Sequence, residues 1–319
     1  MEHPDVAFIL GSPRSGTTVL GEILDLHTDI AQWYEPYFIW DRHFRNAPDD
    51  VRGRNDATPK VREYLTRKFR SYQQRRKTAL VIDKSPRNSL KIPFILDIFP
   101  NAKFIHILRD GRDATLSIHR EWKRRRSIVS DGRNKRFNYT AALRTMLRCL
   151  SRQSFLDDRL RAFWFETRGH VLNKSAHLNR LRWNGDVGWG PRFRGWEKAY
   201  RENSLLRFNA MQWSECVTSV LSYWDKIDTE NRRTITYETL VTDPETVISG
   251  VLDFLNAKPD PSFFNAMPGM KSGNFNKWKT EFSREQLEDI LPILSPALEE
   301  TGYLDESSSD TPTQFPGCA

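Results

Sequence analysis

The chain has 319 residues, of which 38% are hydrophobic and 28% are charged, a composition typical of a globular protein and not of a disordered one. Its 49 Lys and Arg residues exceed its 41 Asp and Glu residues, and the net charge of +8 favours an anionic ligand or partner. Three cysteines without a CxxC pair, and no histidine cluster at metal-ligand spacing, predict neither a disulfide framework nor a metal site.

The start of the chain passes directly into an apolar run and shows neither the basic nor the apolar region of a signal peptide. No stretch approaches the roughly 18 consecutive apolar residues that a membrane span requires. We therefore expect a cytoplasmic protein with no membrane span.

Apolar runs that lead into polar turns and then into helical patterns predict a parallel sheet. Val6–Leu10 has this arrangement, residues 79–82 and Lys103–Leu108 repeat it, and residues 234–237 add a weaker fourth strand. Buried strands that alternate with helices are typical of an α/β fold. We predict three layers of the P-loop type, with a central parallel sheet flanked by helices.

No linker divides the chain, so we predict a single domain over residues 1–304. Within it, residues 126–225 or thereabouts are expected to form an inserted, mainly helical, Arg- and Trp-rich region that contacts an acceptor or acts as a lid. Residues 182–196 are dense in Gly, Trp and Arg; their aromatic and basic side chains either line an acceptor site or pack a lid against the domain. Residues 305–319 have the composition of a disordered tail.

Residues 11–18 (GSPRSGTT) have the G-x-x-x-x-G-x-[ST] spacing of a phosphate-binding loop between a strand and a helix. In such a loop, backbone N–H groups face an anion and the helix N-terminus adds about half a positive charge. Thr17 stands where a nucleoside triphosphatase has its lysine, and the cation of this loop is Arg14. This difference argues against ordinary ATP chemistry. The predicted ligand contacts are Arg14, Ser15, Gly16, Thr17 and Thr18.

A second anion-binding position follows the strand Lys103–Leu108. Arg109 is at the end of this strand, and Ser117 lies about two turns into the next helix. Because ligands bind at the carboxyl edge of a parallel sheet, both side chains are placed to reach one phosphate group. The alternative is a surface ion pair between Arg109 and either Asp110 or Asp113.

Together these motifs resemble those of the sulfotransferases that use 3′-phosphoadenosine 5′-phosphosulfate (PAPS). PRSGTT (13–18) is similar to the family's 5′-phosphosulfate loop, RDGRDATLS (109–117) to its 3′-phosphate motif, and DKSP (83–86) to a third segment. The pattern is most similar to the tyrosylprotein and carbohydrate sulfotransferases, and it extends over residues 1–125 and 230–304. The resemblance implies an enzyme that transfers a sulfuryl group from PAPS to an acceptor hydroxyl or amine without a metal.

The resemblance also implies roles for individual residues. Glu35 is similar in placement to the general base that deprotonates the acceptor, and Lys84 to the lysine that contacts the bridging oxygen and the transferring group. Arg14 is similar to the loop cation that shares this task. Tyr237 and Lys277 resemble positions that contact PAPS. Taken without the family, Glu35 and Lys277 have the character of ordinary surface residues.

Two other functions stay open on the residues alone, namely a P-loop kinase or nucleotidase and a non-enzymatic protein that binds a polyanion. The missing loop lysine counts against the first. No helix-turn-helix, RRM or zinc-finger signature is present, so we expect no nucleic-acid partner. The sequence leaves open whether the acceptor is a small molecule, a glycan or a protein, and it leaves the oligomeric state open.

Overall fold

The computed structural model describes residues 4–130, 183, 188–258, 261–267 and 275–304. The chain divides into two compact units, one made of Met1–His119 with Gly190–Ala319 and the other of Arg120–Trp189. Over the described ranges, no helix combines the length and the apolar character needed to cross a membrane.

The first unit is built on a five-stranded, all-parallel sheet, which confirms the predicted fold class. Its strands are β1 (Val6–Leu10), β2 (Ile30–Tyr34), β3 (Leu80–Lys84), β4 (Lys103–Leu108) and β5 (Arg232–Thr236). Their order across the sheet is β2-β3-β1-β4-β5. The sequence did not predict β2, which lies at one edge of the sheet and pairs with β3.

Helices connect the strands and cover the sheet. In chain order over the described residues they are α1 (Thr17–Leu24), α2 (Tyr37–Trp40), α3 (Pro59–Arg76), α4 (Ile92–Ile98), α5 (Gly111–Ser130), α6 (Trp196–Glu202), α7 (Leu205–Trp224), α8 (Tyr237–Thr242), α9 (Pro244–Phe254), α10 (Pro261–Ala266), α11 (Trp278–Glu281) and α12 (Arg284–Glu300). Short 3₁₀ turns include Pro86–Leu90, directly after β3.

The sheet separates two apolar cores because successive side chains of a strand point to opposite faces. Phe8 of β1 faces a cluster rich in aromatic residues, in which its ring stacks on Phe104 with centroids 5.6 Å apart. Ile9 faces the other cluster, which is mainly aliphatic and includes Ile105 and Ile248. All five residues of β1 are buried. Burial on both faces explains why this strand reads as an uninterrupted apolar run.

The register of the strands brings their carboxyl ends to one edge of the sheet. Ile9 and Tyr34 both pair with Lys84, Leu10 pairs with His106, and Leu108 pairs with Thr236. The chain leaves β1 toward β2 and β3 on one side, whereas β4 and β5 lie on the other. The strand order therefore reverses between β1 and β4, which is where open α/β sheets bind ligands.

The second unit is described at residues 120–130, 183, 188 and 189. Trp122 and Trp183 meet edge to face with ring centroids 5.2 Å apart, and the Arg125 guanidinium carbon lies 5.3 Å from the Trp189 ring centroid. Most of the inserted region predicted over residues 126–225 lies outside the described residues, as does the tail predicted over 305–319. Its last part, residues 190–225, belongs to the first unit.

Candidate active site

Two glycines shape the loop between β1 and α1. Gly11 has a φ of 151°, and a Cβ atom there would lie 2.7 Å from the Ile107 carbonyl oxygen. Gly16, at the N-cap of α1, has a φ of 91°, and its Cβ would lie 2.5 Å from Cδ2 of Tyr237. Both positions thus require glycine on conformational and steric grounds. The close approach of Tyr237 brings α8 against the loop.

Hydrogen bonds of serine side chains hold this loop, both between two of its own residues and to a serine of the turn after β3. Ser12 Oγ lies 2.6 Å from Ser15 Oγ. The Gly11 amide donates to Ser89 Oγ at 3.0 Å, and the Ser89 hydroxyl is 3.2 Å from the Gly11 carbonyl oxygen. Ser89 is buried in the turn after β3. This contact attaches the start of the loop to the turn after β3, and no pattern in the sequence predicted it.

The two predicted anion-binding positions meet. Arg14 Nε donates to Ser117 Oγ at 3.0 Å, and an Arg109 guanidinium N–H donates to the Arg14 carbonyl oxygen at 2.7 Å. The Arg109 guanidinium carbon lies 4.4 Å from the centre of the Tyr237 ring. Two guanidinium groups beside the N-terminus of α1 concentrate positive charge, a setting that stabilises a bound anion.

The other predicted loop contacts lie in the same segment at different depths. Arg14 is exposed, Gly16 and Thr18 are half-buried, and Ser15 and Thr17 are buried. Thr17 is the first residue of α1. Its position at the helix N-terminus is the one at which a P-loop places backbone donors toward an anion.

Asp110 forms its ion pair with Arg112 and not with its neighbour Arg109. The Arg112 guanidinium binds both carboxylate oxygens of Asp110, at 2.7 and 2.9 Å, and donates to the Tyr303 carbonyl oxygen at 2.9 Å. Glu238 accepts from the Asp110 amide at 3.2 Å and from the Tyr303 hydroxyl at 2.8 Å. Burial raises the pKa of Glu238 to about 7. These contacts tie the end of β4 to the C-terminal end of α12.

Glu35 and Lys84 form an ion pair at the same edge of the sheet. Lys84 Nζ lies 2.6 Å from Glu35 Oε1, and the lysine side chain is 1% exposed whereas that of the glutamate is 27% exposed. The Glu35 amide also donates to the Lys84 carbonyl oxygen at 3.1 Å. The Tyr34 ring covers the ammonium group at 4.0 Å. Glu35 thus directly follows strand β2, whereas we predicted from the sequence that it lies in a short loop after the first helix.

Asp83 precedes Lys84 in β3 and is fully buried. Its Oδ2 accepts a hydrogen bond from Trp40 Nε1 at 2.7 Å. Burial raises the pKa of Asp83 to about 6, against the opposing effect of its hydrogen bonds. The DKSP segment therefore combines a buried carboxyl group with the buried ammonium group of Lys84.

Lys277 precedes α11, and the backbone on either side of it is bound to α5. The amides of Asn276 and Trp278 both donate to the carboxylate of Asp113, at 3.0 Å for Trp278. Asp113 lies four residues before Ser117, which is one turn on the same face of a helix. The structure therefore places the Lys277 backbone beside the helix that carries Ser117.

Backbone strain is concentrated at these positions. Of the residues that the structure describes, five other than glycine have a positive φ, and three of them belong to the site: Arg14 at 69°, Glu35 at 42° and Asn276 at 61°. Such a conformation costs about 1–3 kcal/mol at residues such as Arg14 and Glu35 and persists where the surroundings enforce it, whereas asparagine adopts it more readily. Arg14 and Glu35 thus combine an uncommon backbone conformation with a place at the carboxyl edge of the sheet, a combination that is typical of functional sites.

The Trp- and Arg-rich segment contributes packing where it lies in the first unit. The amide of Arg192 donates to Asp50 Oδ2 at 2.9 Å, and its guanidinium pairs with Asp50 Oδ1 at 3.3 Å. Trp196 is buried and donates from Nε1 to the Pro48 carbonyl oxygen at 2.8 Å. These contacts favour the packing interpretation for this part of residues 182–196. Arg182 lies outside the described residues.

Metal ligands were not expected from the sequence. Within the described ranges, no group of three or more His, Cys, Asp and Glu side chains is arranged to hold a metal ion.

A model of the Sulfotransferase family matches residues 5–167, just over half of the chain. Among curated proteins, the nodulation protein NoeE of Sinorhizobium fredii is 28% identical over 37% of this chain and 32% of its own length. The omega-hydroxy-beta-dihydromenaquinone-9 sulfotransferase Stf3 of Mycobacterium tuberculosis is 30% identical over 32% of this chain and 41% of its own length. The chain thus spans 32% to 41% of the length of these relatives.

Two solved structures share the fold across nearly the whole chain. The sulfotransferase domain from the curacin biosynthetic pathway is 16% identical, with a TM-score of 0.53 over 95% of this chain and 99% of that one. The sulfotransferase domain from the Synechococcus PCC 7002 olefin synthase is also 16% identical, with a TM-score of 0.54 over 95% and 96% of the two chains. At this identity the likeness concerns the fold.

Proposed function

This chain belongs to the sulfotransferase family, and from that premise we propose that it transfers a sulfuryl group from PAPS to an acceptor hydroxyl or amine. The observation that carries the proposal is the junction of the two anion-binding positions. Arg14 of the loop binds Ser117, and Arg109 binds the backbone of Arg14. A donor with a 5′-phosphosulfate and a 3′-phosphate needs two such positions side by side.

The loop itself favours this donor over a nucleoside triphosphate. Its glycines at 11 and 16 let the loop pass close to Ile107 and Tyr237, where a Cβ atom would collide. Thr17 is buried at the helix start and provides no cation for a γ-phosphate. The exposed Arg14 supplies the positive charge instead, beside a helix N-terminus that also favours an anion.

Glu35 is proposed as the general base. Its carboxylate lies at the carboxyl edge of the sheet, is partly exposed, and is held there by the strained backbone at φ 42° and by Lys84. A carboxylate in this position can accept the proton of an acceptor hydroxyl as its oxygen bonds to sulfur. General-base catalysis by a positioned side chain contributes about 10²–10⁴-fold to the rate.

Lys84 and Arg14 are proposed to stabilise the charge that develops on the leaving group. PAPS supplies an activated sulfuryl group, whose sulfur–oxygen bond to phosphate breaks as the acceptor–sulfur bond forms, and adenosine 3′,5′-bisphosphate leaves. The ammonium of Lys84 is fully buried beneath the Tyr34 ring, so its charge is weakly screened by water. A desolvated cation fixed before the reaction is the arrangement that stabilises such charge most effectively.

Tyr237 and Arg109 are proposed to complete the donor site. The Tyr237 ring packs on Gly16 on one side of the loop and lies over the Arg109 guanidinium. It therefore sets the distance between the loop and the end of β4. The identity of the acceptor is left open by this proposal, since of the two curated relatives only Stf3 has an acceptor in its name.

A thermal-shift comparison separates this proposal from the kinase or nucleotidase alternative. Adenosine 3′,5′-bisphosphate at 100 times its Kd should stabilise the protein by about 2.7 kcal/mol, whereas ATP with magnesium should have little effect. Adenosine 5′-monophosphate, which lacks the 3′-phosphate, serves as the matched control ligand and should stabilise less. The opposite pattern, stabilisation by magnesium–ATP and none by the bisphosphate, would establish the rival function.

A further inference from the structure

Asp113 lies inside the RDGRDATLS motif, yet neither the motif nor the mechanism above gives it a task. It is 2% exposed, although a carboxylate is normally solvated. Its two oxygens accept the amides of Asn276 and Trp278, which are 163 and 165 residues away in the chain. One buried carboxylate therefore binds the backbone on both sides of Lys277.

A second contact holds the same segment. The guanidinium carbon of Arg112 lies 3.9 Å from the centre of the Trp278 ring, a cation–π distance. Arg112 is itself fixed by its bidentate bond to Asp110 and by its bond to the Tyr303 carbonyl oxygen. Neighbouring residues of α5 thus bind the backbone of Trp278 and cover its ring.

The position of this contact relates it to the donor site. Asp113 lies one helical turn from Ser117, and side chains four residues apart on a helix are neighbours, about 6 Å apart at Cβ. Arg109 directly follows β4, the strand that leads into this helix. The segment around Lys277 is therefore attached to the element that supplies the proposed 3′-phosphate ligands.

We propose that Asp113 is a positioning residue that fixes residues 276–278 on α5 and thereby holds Lys277 where it binds the 3′-phosphate of the donor. This inference rests on the proposed function. The backbone of Asn276 is left-handed, with φ 61°, a conformation that asparagine adopts more readily than most residues, and its amide donates to the Asp113 carboxylate. Burial raises the pKa of Asp113 while the two amide donors lower it, which is consistent with a carboxylate that depends on these donors.

A purely structural role for Asp113 would tie down the segment without affecting ligand recognition. The two roles differ in what depends on Lys277. If Asp113 acts through Lys277, its removal weakens binding of adenosine 3′,5′-bisphosphate but not of adenosine 5′-monophosphate. Its removal should also have no further effect once Lys277 is gone.

The test combines amide hydrogen exchange with a double-mutant cycle in the full chain. Asp113→Ala should accelerate exchange in the peptide that covers residues 275–282 and weaken bisphosphate binding about tenfold. Lys277→Ala should cause a similar loss, and the double variant no more than either single one. Asp113→Asn keeps one acceptor oxygen and the side-chain shape, so its loss of bisphosphate affinity should lie between those of the unmodified protein and Asp113→Ala. It replaces Asp113→Ala in the test if that variant folds poorly.

Asp243→Ala is the matched control, since Asp243 also accepts a backbone amide, that of Thr246, at a helix start. It lies at the far end of α8 from Tyr237, about 9 Å along a six-residue helix. This variant should leave the affinity for both nucleotides unchanged.

Three results would overturn the inference while leaving the proposed function intact. Equal weakening of both nucleotides by Asp113→Ala would mean a general loss of structure, and additive losses in the double variant would mean that Asp113 does not act through Lys277. Faster exchange over residues 275–282 with unchanged bisphosphate affinity would leave only the structural role. If the unmodified protein itself showed no preference for the bisphosphate, the proposed function would fail together with the inference.

Discussion

The contact between Gly16 and Tyr237 gives a quantitative prediction. A methyl group at Gly16 would have to occupy a backbone conformation with φ 91° and would lie 2.5 Å from the Tyr237 ring and 3.1 Å from Ile107 Cδ1. The left-handed backbone costs about 1–2 kcal/mol for a residue with a Cβ atom, and overpacking typically costs about 1–3 kcal/mol. Gly16→Ala should therefore lower the free energy of unfolding by about 2–5 kcal/mol.

Gly195→Ala measures the cost of the left-handed backbone without the cost of overpacking. Gly195 also precedes a helix, α6, with a φ of 80°, but a Cβ atom there would meet nothing within 4 Å. Its substitution should cost only about 1–2 kcal/mol. The two variants are compared by urea denaturation, with bisphosphate binding measured in parallel; only Gly16→Ala should weaken binding. Equal loss of stability in the two variants would refute the close packing of Tyr237 on the loop.

Two further predictions concern the DKSP segment. Lys84→Met should reduce kcat by about 10²–10³-fold because it removes a buried positive charge from the proposed active site. Lys279→Met, at an exposed lysine of α11, is the control and should leave kcat unchanged. Similar kcat values for the two variants would exclude Lys84 from catalysis. Burial raises the pKa of Asp83 from its ordinary 3.8 to about 6, so the folded state binds the proton more tightly than the unfolded state does. The corresponding stability is present below about pH 4 and is lost as the pH rises through about 6. Relative to Asp83→Asn, the unmodified protein should lose on the order of 3 kcal/mol of unfolding free energy over this interval, and parallel pH profiles would contradict it.

The sequence was most informative where the chemistry is local. The apolar run Val6–Leu10 and the spacing of residues 11–18 depend on neighbours along the chain, and the structure contains the predicted strand and loop. The strand Lys103–Leu108 followed by a helix with Ser117 was likewise predictable, since buried strands and helical periodicity both leave patterns in short windows.

The features that could not be predicted from the sequence depend on contacts between residues far apart in the chain. Strand β2 is a short edge strand whose partner residues begin at Leu80, so its pattern did not distinguish it from a loop. The bond between Glu35 and Lys84 joins residues 49 positions apart and exists because β2 and β3 are neighbours. The contact of Ser89 with Gly11 spans 78 positions. Non-local contacts of this kind have no signature in the local sequence.

The secondary structure predicted for Tyr237 was wrong, although its predicted edge of the sheet agrees with the structure. The sequence placed it at the end of a strand, whereas it is the first residue of α8, after β5 ends at Thr236. The Thr236 hydroxyl accepts a hydrogen bond from the Thr239 amide at 3.1 Å and so caps α8. Because Thr236 is the helix cap, the strand ends there and Tyr237 begins the helix. The carboxyl edge of the sheet was nevertheless the predicted location.

Transfer of labelled sulfuryl from PAPS to a panel of phenols, alcohols, amines and glycans tests the proposed function itself, in a comparison of the unmodified protein with Glu35→Gln. Glu22→Gln, at an exposed glutamate of α1, is the matched control. We predict PAPS-dependent labelling of at least one acceptor, lowered about 10²–10⁴-fold by Glu35→Gln and unchanged by Glu22→Gln, with the bisphosphate Kd the same in all three proteins. Full labelling activity in Glu35→Gln would contradict the proposed mechanism, and failure of all three proteins to bind the bisphosphate would contradict the proposed donor.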